Sequence, residues 1–139
     1  MSIPVWVLLG FATWTLLLLL GTVGYYRWSR IMSGRATVRE WSPDRVQGSA
    51  RYQRAMRAHA NCVENLPVYA AIVVAALAAG VDTPMLDALA LMLLGARVVH
   101  SLVHVIPEQT EAVAITRFVF FFIQFLCLVG MGGIVAVNA

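Results

Sequence analysis

Four apolar stretches, each long enough to cross a lipid bilayer, limit what this chain can become. Ile3 to Gly24 is an uncharged run that contains five consecutive leucines, Leu16 to Leu20. A helix crosses the hydrocarbon core with about 20 such residues, so this run spans. The same reasoning places helices over residues about 3–28, 50–79, 85–105 and 112–137. Composition agrees: 60% of the 139 residues are hydrophobic and 12% are charged. A soluble domain carries about a quarter charged residues. A cleaved signal peptide would show a basic start and an apolar core of roughly 7–15 residues, and this N-terminus has neither. The expectation is one unit over residues 1–139, all-α, folded as an integral membrane four-helix bundle.

The charge is local. Every basic residue is arginine, and eight of the ten lie between Arg27 and Arg57. Residues 29–49 form the long hydrophilic stretch, with turn signals at Gly34, at Ser42-Pro43-Asp44 and at Gly48-Ser49. An arginine-rich loop stays in the cytoplasm, which puts both termini on the far side. The net charge of +3 is thus a topological feature, and no nucleic acid partner is expected. Tyr25, Tyr26 and Trp28 beside Arg27 and Arg30 resemble an interfacial belt. Cys62 and Cys127 have no metal-ligand spacing and read as free thiols. The short chain without a targeting segment fits a bacterial inner membrane.

Polar residues interrupt the apolar runs in a pattern. Arg54, Arg57, Asn61 and Glu64 recur at helical spacing and share one face of the second helix, with His59 on roughly the opposite side. Arg97, His100 and His104 share a face of the third, and Arg117 lies about 8 Å past the start of the fourth. Antiparallel topology brings all of these to the cytoplasmic leaflet. An arginine facing lipid at mid-membrane costs at least about 2.5–3.5 kcal/mol, so Arg97 and Arg117 must face protein, water or a ligand. A site with surplus cationic charge, shielded from water, suits an anionic ligand with carboxylates. Plainer readings exist for each residue alone. Arg97 and Glu64 can pair as an interhelical lock. Arg54 and Arg57 can snorkel to headgroups. Gln124, on the face of Arg117, can be a simple interhelical hydrogen bond. Ala71, Ala75 and Ala79 form a smooth seam for close helix contact.

Arg54, Arg57, Ala58, His59, Asn61 and Glu64 in the second of four helices resemble the signature of the MAPEG family, the membrane-associated proteins in eicosanoid and glutathione metabolism. Gly95, Arg97 and His100 resemble its second motif, and Arg117 fits a third. The resemblance covers essentially the whole chain. It implies a homotrimer with glutathione bound between subunits in the cytoplasmic half of the membrane. It implies glutathione transferase or peroxidase activity on lipophilic electrophiles. Carried onto this chain, Arg54, Arg57, Asn61 and Glu64 would hold the glutathione peptide, with Arg97, His100 and His104 lining the same pocket. Arg117 would stabilise the thiolate as the catalytic residue. Arg27 and Arg30 are both candidates for the first-helix arginine that joins them, with Arg30 preferred. Histidine at position 104 departs from the tyrosine found there in several glutathione-using members.

Other chemistry finds little support. Three histidines without an HExxH pattern or a carboxylate cluster do not suggest a metal site. Gly130, Gly132 and Gly133 lie in an apolar helix and make no phosphate loop. Ser101 points away from its neighbour His100 on the helix, so no nucleophile–base pair is expected. Two functions remain: a glutathione-dependent enzyme acting on lipophilic small molecules, or a non-catalytic lipid-binding or scaffold protein of the same fold.

Overall fold

The structure, a computed structural model, describes residues 1–42 and 47–139. Four helices fill it: α1, Ile3–Met32; α2, Ala50–Ala79; α3, Pro84–Val105; and α4, Glu111–Asn138. Each is long and apolar enough to cross a membrane. Three start on hydroxyl caps. Ser49 accepts from the Tyr52 amide, Thr83 from Leu86 and Thr110 from Val113, which satisfies backbone donors that a helix start leaves open. Pro84 takes the first turn of α3, where a missing N–H costs nothing. Gly80 stops α2 in the left-handed conformation at φ 67°, and the Val81 amide reaches back to the Ala76 carbonyl.

α1 runs four residues beyond its expected end at 28, to Met32. Inside it, Leu19–Gly24 forms a π-helical turn, beside which the Thr22 hydroxyl donates to the Leu18 carbonyl. The segment from Ser29 to Met32, expected in the loop, thus belongs to the helix end. The Arg35 amide closes it on the Arg30 carbonyl at 2.9 Å. In the following loop, a single 3-10 turn at Val38–Glu40 is held by a Thr37–Glu40 capping box. The expected turn at Ser42-Pro43-Asp44 includes Pro43 and Asp44, which lie outside the described residues.

α2 and α3 form the central pair. α1 and α4 flank it on opposite sides, each touching both central helices, and α3–α4 is the most extensive contact. Phe11, Cys62, Tyr69, Val73, Ala90, Leu93 and Met131 make the dry interior. Ala71, Ala75 and Ala79 face outward from the bundle.

An aromatic cluster ties the loop to the helix ends. Tyr26 and Tyr52 stack with ring centres 4.5 Å apart, and Trp41 packs edge-on to Tyr26 at 6.0 Å. Gly48 lies over this cluster at φ 144°, where a Cβ would stand 2.7 Å from the Tyr52 ring. Gly48→Ala therefore meets both backbone strain and a clash with stacked rings. It should lower stability by about 1–3 kcal/mol, seen as a lower thermal midpoint in detergent and faster tryptic cleavage at Arg35 and Arg39. An unchanged midpoint and cleavage rate would contradict this role for the cluster.

Candidate functional site

Among the described residues, polar side chains converge on one open cleft of about 320 Å³, walled by Asn61 of α2, His100 and His104 of α3, and Ala114, Arg117, Phe118 and Phe121 of α4. No carboxylate lines it. Helical spacing produces the cleft. His100 and His104 are one turn apart and their rings meet edge to face at 5.3 Å. Arg117 faces them from α4, half-buried, and its guanidinium donates to Gln109 in the α3–α4 connection. The Asn61 amide lies 3.4 Å from His104 Nε2. The sequence reading placed these four residues together, and the fold does so from three helices.

Arg97 lies behind the cleft. It is 1% exposed and is the largest fully buried side chain among the described residues. Its guanidinium sits over the Phe11 ring at 5.4 Å, with Nη1 at 3.5 Å from His100 Nδ1 and Nε unpaired. A cation over an aromatic face in a desolvated site gains about 2 kcal/mol or more. The proposed lock between Arg97 and Glu64 is not formed. Glu64 is exposed on the outer face of α2 and has no polar partner among the described residues. Arg97 points into the bundle, away from that face.

Ser101 is the hub that sequence reasoning did not find. Its hydroxyl donates to the Arg97 carbonyl at 2.9 Å, accepts from the Trp14 indole at 3.2 Å and lies 3.6 Å from the Cys62 sulfur. The signal was available: a tryptophan deep in an apolar helix needs an acceptor for its N–H. Cys62 and Cys127 are free and buried.

The other arginines divide by role. Arg57 is exposed one turn from Asn61, beside the cleft, without a partner among the described residues. Arg54 lies outside the cleft lining. It donates to the Val105 carbonyl at 3.4 Å, where the last turn of α3 leaves acceptors open. Arg27 is committed: its Nε donates to the Tyr52 hydroxyl at 2.8 Å and its guanidinium lies 5.3 Å from the centre of the Trp41 ring. Arg30 stacks on Tyr26 at 5.6 Å and lines a separate 240 Å³ pocket with Glu40, Trp41 and Gln47. Neither reaches the cleft. His59 is half-buried, with its Nδ1 enclosed and unpaired. Gln124 is 2% exposed and bonds back to the Phe120 carbonyl of its own helix, so the interhelical hydrogen bond considered for it is not present. A second cavity, of about 330 Å³ between α1 and α2, has Arg51 as its one charged wall residue and holds no histidine. Among the described residues, no three His, Cys, Asp or Glu side chains are grouped to hold a metal.

Four helices long and apolar enough to cross a membrane define an integral, multi-pass membrane protein, and three of them wall a cleft that holds Arg117 and no carboxylate. A model of the MAPEG family matches residues 4–137 of the 139-residue chain, and the chain belongs to that family of membrane proteins. Neither the curated proteins nor the solved structures contain a match.

The Ser101 hub has a direct consequence. Ser101→Ala leaves the half-buried Trp14 N–H without its acceptor and should cost about 1 kcal/mol, read as a lower thermal midpoint in detergent with altered tryptophan fluorescence. A midpoint equal to that of the unaltered protein would show that the hydroxyl is not needed there.

Proposed function

We propose that this protein is a membrane-bound glutathione-dependent transferase or peroxidase acting on lipophilic electrophiles. The observation that carries this reading is the half-buried Arg117. Its side-chain partner is the neutral amide of Gln109, and its charge faces a cleft with no carboxylate. A guanidinium so placed favours a thiolate over a thiol, and the thiolate is the nucleophile.

The residues fit glutathione, which carries two carboxylates, an ammonium and a thiol. Arg57 offers a cation to a carboxylate. Glu64, exposed and unpaired among the described residues, offers an acceptor to the ammonium. Asn61, His100 and His104 offer hydrogen bonds to the peptide groups between them. The bound tripeptide would supply the nucleophilic sulfur. The task of Arg117 is then to hold negative charge at the sulfur: lowering a thiol pKa by two units requires about 2.7 kcal/mol. Phe118 and Phe121 form an apolar wall on the other side, suited to a lipophilic partner from the bilayer.

A homotrimer completes this reading. Arg57, Glu64 and the seam of Ala71, Ala75 and Ala79 lie on the outward face of α2, where a second copy would cover them. Arg30, which lines a different pocket of its own subunit, would serve the cleft of a neighbour. The arginine excess of the loop supports a cytoplasmic location for this end of the bundle.

The decisive measurement is the ultraviolet absorbance of thiolate on adding glutathione to purified protein. Saturable binding with a thiolate signal is expected. Arg117→Ala should abolish that signal and lower conjugation by about 10²–10³-fold. If the unaltered protein neither binds glutathione saturably nor forms thiolate, the enzymatic reading fails and a lipid-binding role replaces it. A thiolate signal that survives Arg117→Ala would reject the role given to this arginine.

A further inference from the structure

We propose that Arg97 is a positioning residue that holds the His100 imidazole in its Nε2–H form, making His100 a hydrogen-bond donor toward the cleft. The inference deepens the glutathione reading and rests on it only for the identity of the acceptor.

The argument begins with donors and acceptors. A guanidinium has N–H donors and no acceptor. Nη1 of Arg97 lies 3.5 Å from Nδ1 of His100, so a hydrogen bond between them requires a lone pair on Nδ1. The neutral ring must then carry its proton on Nε2. An imidazolium would turn an N–H and a second positive charge toward the guanidinium in a buried site, where such repulsion is strongest.

Geometry keeps Arg97 in this role. It is 1% exposed and absent from the cleft wall, so it cannot touch a ligand from where it stands. Phe11 holds its guanidinium from α1, and Ser101 holds its backbone carbonyl one turn along. His100 lies three positions further along the helix, which puts the two on one face. His100, by contrast, lines the cleft, and its Nε2 is neither enclosed nor paired. The groups facing that ring are Arg97 and His104 on α3 and Arg117 on α4. His104 Nε2 is already engaged with the Asn61 amide of α2, which can only donate through its nitrogen. Accepting there puts the His104 proton on Nδ1, which is enclosed without a partner, whereas a proton on His100 Nε2 faces the cleft. A donor at that point suits a peptide carbonyl or a carboxylate of the ligand.

The test has two arms on the full-length protein in detergent. The first uses nitrogen NMR of ring-labelled histidine, with His59→Gln and His104→Gln for assignment, and needs no ligand. The expected result is the Nε2–H pattern for His100, retained in Arg97→Lys and replaced by a tautomer mixture in Arg97→Met. An Nδ1–H or imidazolium pattern in the unaltered protein would overturn the proposal. The second is a double-mutant cycle on glutathione affinity. Glutamine at position 100 carries an amide N–H near the Nε2 position and has no tautomer to set. Arg97→Met should weaken binding about tenfold with His100 present and by less than about twofold in the His100→Gln background. An equal loss in both backgrounds would also overturn it. Absence of glutathione binding in the unaltered protein would reject the choice of ligand, and the NMR arm alone would then decide the role of Arg97.

Discussion

A positive charge enclosed in a membrane bundle with no acid beside it must be met by everything around it. Arg97 is that charge, and much of the interior is arranged to receive it. α1 supplies the Phe11 ring as a π-face, and α3 supplies the His100 nitrogen. The Ser101 hydroxyl fixes the backbone beneath it and joins Trp14 of α1 to Cys62 of α2. Three helices therefore meet around one guanidinium. Helix association within a bilayer gains little from hydrophobic burial, so polar and cation–π contacts of this kind carry weight beyond their number.

The central α2–α3 pair separates two environments. On the α4 side is the open cleft with His100, His104, Asn61 and Arg117. On the α1 side is the aromatic cluster of Tyr26, Trp41 and Tyr52, which binds Arg27 and anchors the loop. Arginines that look alike in a list thus do different work. Arg27 and Arg54 hold helix ends together on the side of the arginine-rich loop, whereas Arg57 and Arg117 keep charge available beside or within the cleft.

Hydropathy and spacing made much of this legible. Runs such as Leu16 to Leu20, and polar residues recurring every three or four positions, mark helices and faces without tertiary knowledge. The gathering of Asn61, His100, His104 and Arg117 followed from topology and depth. Direction within a helix face was harder to read. Periodicity shows that Arg97 and His100 share a side, but not that one turns inward to Phe11 while the other meets the cleft. It could not tell that Arg54 would find the carbonyl at the end of α3, because that depends on how two helix ends are offset. Nor did it reveal the π-helical turn in α1, where a uniformly apolar run carries no mark of changed winding. Trp14 and Ser101 were passed over because each looks ordinary on its own helix; their significance lies in the pairing.

The order of the helices bears on how such a chain is made. Synthesis delivers α1 first, so Phe11 and Trp14 are already in the membrane when the segment bearing Arg97 follows. The residue most costly to place in lipid, at about 2.5–3.5 kcal/mol or more, arrives to find its cover waiting. The cleft is different, because four of its seven wall residues belong to α4. It takes shape only when the last helix docks, whereas the ring that covers the arginine belongs to the first.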